Sequence, residues 1–111
     1  MSIDVRIPGF GLLDLAHLVL DFNGTLAIDG RLLRSRQRAY VRRLGAERVA
    51  CIGNGCNDRL MLRAARLGLA VIQVEGASAQ TLAAADLVLP SIVDALDLLQ
   101  HPRRLVASLR S

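Results

Sequence analysis

The chain has 111 residues, a formal charge of +4 and 52% apolar residues. That suits a single small domain over residues 1–111 with a genuine core. Aromatic residues make up only 3%, which excludes a stacking platform for single-stranded nucleic acid, and no apolar run is long enough to span a bilayer.

Residues 3 to 7, IDVRI, alternate apolar and polar, the signature of a half-buried strand. Pro8-Gly9-Phe10-Gly11 reads as a turn. Residues 12 to 22 return as one extended run, so the N-terminus is expected to form a β-hairpin whose second arm enters the core. Gly24 and Gly30 bracket a further turn. Arg34 to Leu44 is expected to be a helix, stopped by Gly45. Val49 to Ile52 is a short buried strand, followed by the glycine-rich loop from Gly53 to Asn57. Asp58 to Leu67 is expected to be helical, burying Leu60, Met61, Ala64, Ala65 and Gly68 in one stripe. Asn57 or Asp58 would cap its start and Gly68 would end it.

Leu69 to Val74 reads as a strand. Ser78 caps a short Ala-rich helix to Ala85, and Leu87 to Leu89 is a brief strand stopped by Pro90. Ser91 caps the next helix, with Asp94 three places on. That helix runs to about Gln100, where Pro102 interrupts, and Leu105 to Leu109 form a last turn or two.

All fourteen basic residues are arginine, seven of them between Arg31 and Arg48. A solvated helix face explains that cluster better than a nucleic-acid partner. Cys51 and Cys56 form neither C-x-x-C nor a zinc pattern, and Cys51 reads as a core residue. His17 and His101 are far apart and read as structural. With no leader-like segment, the expected setting is the reducing cytoplasm, with no membrane attachment.

Strands alternating with helices predict an α/β fold with a mostly parallel sheet. Ligands of such sheets bind beyond the carboxyl ends of the strands. Asp21 ends one strand, and the Gly-rich loop follows another, so both point to one rim. Asp21 and Asp58 together suit magnesium, a hard cation that prefers oxygen ligands. Glycines and Thr25 beside them suit an anion. Together these features outline a phosphoryl-transfer site; two aspartates that only cap turns are the bland alternative. GNGCND at 53 to 58 lacks the third glycine of a dinucleotide fingerprint and the lysine of a Walker loop.

DFNGT at 21 to 25 resembles motif I of the haloacid dehalogenase superfamily of phosphohydrolases, D-x-D-G-T. GNGCND resembles that superfamily's motif IV, G-D-x-x-x-D. DFNGTLA, IGNGCND and DALDLLQHPRRLVASLR are similar to the small subgroup described as soluble P-type ATPase-like proteins. The likeness extends over nearly the whole chain. It implies a Rossmann-like three-layer fold without a cap domain, and an aspartyl-phosphate mechanism acting on a small phosphorylated molecule. By that likeness Asp21 is the nucleophile and a Mg2+ ligand, and Asn23 offers its backbone carbonyl to the metal. Asn54 and Asp58 complete the metal set, while Gly24, Thr25, Gly53 and Arg38 shape the phosphate pocket.

Three departures accompany the likeness. Asn23 stands where those phosphatases carry a general acid, and an amide cannot protonate a leaving group; losing such help costs on the order of 100- to 10,000-fold. Asn54 replaces the first acidic residue of motif IV. Motifs II and III have fewer than about thirty residues available between Thr25 and Gly53, barely one crossover. Arg36 or Arg38 would have to serve for motif III. The shortened middle is expected to leave the Asp21 strand near a sheet edge, open to self-association as a homo-oligomer. A second expectation is therefore a non-catalytic binding or oligomerisation module built on the same rim.

Overall fold

The structure is a computed structural model that describes residues 2–22, 25–29, 31–33, 44–55, 58–74 and 76–110. Strands β1 (Ile3–Ile7) and β2 (Gly11–Leu15) form the expected antiparallel hairpin, with Ile3 opposite Leu15. Alternation turns Ile3, Ile7, Leu13 and Leu15 inward. The second arm does not run on to residue 22. It breaks at Ala16, whose N–H donates to Arg48 O at 2.8 Å, and β3 (His17–Phe22) starts in a different sheet.

That sheet has six strands in the order β5-β4-β3-β6-β7-β8. The others are β4 (Thr25–Ile28), β5 (Arg31–Leu33), β6 (Val49–Gly53), β7 (Leu67–Val71) and β8 (Leu87–Leu89). β3, β6, β7 and β8 are parallel, while β4 and β5 add an antiparallel pair. Two expectations are corrected here. The segment between Gly24 and Gly30 carries strand β4 rather than a turn alone. The Asp21 strand is interior, flanked by β4 and β6, so the edge expected beside it does not exist. Of the helix expected at residues 34 to 44, only Leu44 falls among the described residues.

A 3-10 turn (Ala46–Arg48) leads into β6. The helices are α1 (Arg59–Ala64), α2 (Ala79–Ala84), α3 (Ile92–Leu99) and α4 (Pro102–Leu109). Every residue of β6 and β7 is buried, because both faces of the sheet are covered. On one face Val49, Cys51 and Ala70 pack with Met61 and Leu62 of α1. On the other, Ala50, Ile52, Leu69 and Val71 pack with Leu98 and Leu99 of α3, Leu105 of α4 and the hairpin. Each fully buried Leu or Ile contributes about 1.5–3 kcal/mol. Arg66 pins the hairpin tip: its guanidinium lies 4.4 Å from the Phe10 ring centroid and donates to Phe10 O at 3.0 Å. No helix among the described residues is long and apolar enough to cross a membrane.

α1 is shorter than expected. It ends at Ala64, and Leu67, placed in the helix by the sequence pattern, opens β7, which stops at Val71 rather than Val74. Leu60 is 44% exposed; Met61 and Leu62 are the buried pair. Gly68 is therefore a strand residue, not a helix stop. A Cβ there would sit 2.7 Å from Leu62 O and 3.1 Å from Leu62 Cβ. Gly68→Ala is expected to cost about 2–3 kcal/mol through forced displacement of α1, read as a lower urea midpoint with unchanged slope. Ser78 occupies a cap position but makes no side-chain cap bond. Ser91 does cap α3: Asp94 N–H donates to Ser91 Oγ at 3.2 Å, and the Ser91 hydroxyl donates to Asp94 Oδ2 at 2.9 Å. Pro102 begins α4 instead of interrupting a helix, since the first helical position needs no N–H.

Candidate active site

Leu20 lies opposite Ile52 in the parallel register of β3 and β6. The next residues, Asp21 and Gly53, therefore lie at the carboxyl ends of these two adjacent strands, on the same edge of the sheet. Phe22 pairs with Thr25, so the Thr25 backbone also starts at that rim. The loop after β6 then turns back through Asn54 and Gly55 to Asp58.

Asp58 is only 2% exposed. It stands at the N-cap position of α1, yet its side chain does not cap that helix. Asp58 Oδ2 instead accepts the Asn54 N–H at 2.9 Å and the Gly55 N–H at 2.8 Å. Gly53 makes room for this: a Cβ there would lie 2.6 Å from both Asp58 Cγ and Oδ2. The expectation that Asp58 caps its helix is thus corrected, because the loop amides claim the carboxylate first.

The Asp58 carboxyl is hydrogen-bonded to Asp21, and Asp21 Oδ1 is fully buried. Burial, then the hydrogen bond and the charge of Asp21, push the Asp58 carboxyl up to about 7, against the pull of the Gly55 and Asn54 amides. Near neutrality the metal-free pair is thus poised between holding a proton and holding two like charges. Burial, with Asp58 charge second, pushes the neighbouring Cys51 thiol up, so Cys51 is an inert core residue, as expected.

Asp21, Gly53, Asn54 and Asp58 are brought together, and Thr25 joins them through its backbone. Asn23, Gly24 and Arg38 lie outside the described residues, as do Cys56 and Asn57. Asn54 Nδ2 donates to Gly76 O at 3.4 Å, so a cation contact by this side chain would fall to its amide oxygen. Among the described residues no group of three or more His, Cys, Asp or Glu side chains gathers; the acidic cluster is a pair. His17 Nδ1 lies 2.9 Å from Asp29 Oδ2, and His101 Nδ1 lies 2.8 Å from Asp97 O. Both histidines are engaged in structural contacts.

Sequence reasoning missed the segment that backs the loop. Ser78 N–H donates to Asn54 O at 3.1 Å, and the Thr81 hydroxyl donates to Gly55 O at 2.6 Å. The available signal was slight: one hydroxyl at position 81 in a run that is otherwise mostly alanine.

Fold and rim together define the class: an α/β domain in which two carboxylates meet beyond the carboxyl ends of adjacent parallel strands. The chain is similar to the uncharacterized protein MJ0073 of the archaeon Methanocaldococcus jannaschii. The two are 47% identical over 64 residues, 58% of this chain and 69% of the archaeal one. The chain belongs to the family of that archaeal protein. No protein-family model matches the chain, and no solved structure matches it.

Proposed function

We propose that the chain is a Rossmann-like, haloacid dehalogenase-like phosphohydrolase domain of the cytoplasm, acting through an aspartyl-phosphate on Asp21. The observation that carries this reading is the hydrogen-bonded contact between Asp21 and the buried Asp58 at the strand-end rim. Two carboxylates pressed together need a proton or a cation between them. Oxygen donors of this charge fit Mg2+, so Asp21 and Asp58 would hold it, with the Asn54 amide oxygen as a further donor. When bound, the cation would neutralise charge on the transferring phosphoryl group.

The chain's own atoms supply the rest. An Asp21 carboxylate oxygen forms the bond to phosphorus as the bond to the leaving oxygen breaks, and the leaving group departs with that electron pair. Water then attacks phosphorus and releases phosphate, restoring Asp21. The sequence offers Asn23, which has no proton to give, so leaving groups stable as anions suit this site best. Acyl phosphates meet that requirement.

The test is purified protein with Mg2+ and acetyl phosphate. The expected result is slow, Mg2+-dependent phosphate release, and a phosphoenzyme mimic trapped by beryllium fluoride. Failure to trap it would favour the second reading, a non-catalytic binding or oligomerisation module on the same rim. The amides Asn23 and Asn54, at positions where an acid is expected, support that alternative.

A further inference from the structure

Thr81 has no exposed surface. A buried hydroxyl is unfavourable unless paired, and within a helix the ordinary acceptor is the carbonyl one turn back. Thr81 bypasses that partner and reaches across 26 residues to Gly55 O. That oxygen already accepts the Asp58 N–H at 2.9 Å, so the carbonyl is satisfied without the hydroxyl. The contact pairs the buried hydroxyl, and by choosing this distant carbonyl it also ties α2 to the loop after β6.

The surroundings show what it does. The peptide joining Asn54 to Gly55 is gripped at both ends: its oxygen accepts from Ser78 N–H, and its N–H donates to Asp58 Oδ2. Thr81 holds the next carbonyl along, and Gly76 O holds the Asn54 side chain. The loop is thus clamped between Asp58 on its inner side and residues 76–81 on its outer side. A shift of the Gly55 carbonyl would swing the two amides that fix Asp58 Oδ2.

We propose that Thr81 is a positioning residue for the carboxylate pair, its hydroxyl setting the 54–55 backbone that aims Asp58 at Asp21. The proposal rests on the reading of that pair as a cation-holding centre. It adds a device remote from the reacting atoms that no motif contains.

The test compares the unaltered chain with Thr81→Val, Thr81→Ala and Thr81→Ser. Two quantities are measured: amide hydrogen exchange by NMR without metal, and Mg2+ affinity by calorimetry. The Val and Ala variants both remove the hydroxyl, and Val keeps the volume, so failure of one to fold leaves the other. Loss of the hydroxyl is expected to speed exchange at Asn54 and Gly55 about tenfold relative to Leu69 and Ala70 in β7. Mg2+ affinity is expected to fall about 10-fold or more, with Thr81→Ser restoring both. A hydroxyl that merely stabilises the core would change exchange at all four amides together and leave affinity intact; that outcome overturns the proposal. If the unaltered chain takes no Mg2+ while the local exchange response holds, the phosphoryl-transfer reading falls and the positioning role stands.

Discussion

Asp21→Asn is expected to abolish phosphate release and phosphoenzyme trapping while raising the stability of the metal-free fold. The loss of activity should be on the order of 10⁴-fold or more, because a covalent mechanism has no substitute for its nucleophile. The gain in stability follows from the neighbour. Asp58 is raised by the hydrogen bond and charge of Asp21 in addition to burial. An amide at position 21 removes the charge and keeps the shape, so Asp58 ionises with less opposition. Opposite signs in the two measurements are the diagnostic, since a residue serving only the fold would lower both when altered. Urea unfolding at pH 8 without metal, beside acetyl phosphate turnover with Mg2+, gives the pair of readings. Unchanged turnover in the variant would sink the mechanism.

The metal-free protein is expected to lose stability as pH rises from about 4 to about 7. An unfolded aspartate titrates near pH 3.9, whereas folded Asp58 is pushed up to about 7. Below about pH 4 the group is protonated in both states and contributes no difference. Between the two values the folded state keeps a proton that the unfolded state has released, so stability falls as pH rises, and above about 7 the fall is complete. The swing should be on the order of 2–4 kcal/mol. Asp58→Asn mimics the protonated form, can still accept from the Asn54 and Gly55 amides, and should flatten this dependence. Mg2+ should stabilise the unaltered chain more at pH 8 than at pH 5 and should do little for the variant. Thermal unfolding across pH, with and without Mg2+, checks each part.

The parts of the fold carried by local chemistry were legible. Val49 to Ile52 had to be a buried strand, because four apolar residues run into a glycine-rich turn. Ser91 and Asp94 announced their helix through a cap that forms within four residues. The meeting of Asp21 with Asp58 was readable because parallel strands deliver their carboxyl ends to one rim.

Features that depend on distant partners were not. Leu67-Gly68-Leu69 continues a helical stripe as plausibly as it opens a strand, because a strand buried on both faces shows no alternation. Gly68 looked like a helix stop, and only the nearness of Leu62 O reveals its use. Ala16 gives no sign that the chain changes sheets there; the cause is the Arg48 carbonyl. An aspartate before a helix can cap it or turn to other amides, and Gly53, Asn54 and Gly55 decided the matter for Asp58.

The β1–β2 hairpin is buried against Leu105 of α4, far along the sequence from it. During synthesis its apolar face emerges from the ribosome long before α4 exists to cover it. Closing a loop of that length delays the final docking step. The nascent chain therefore carries an uncovered greasy surface until α4 is made, and its yield in cells should depend on chaperones that shield such surfaces until that helix arrives.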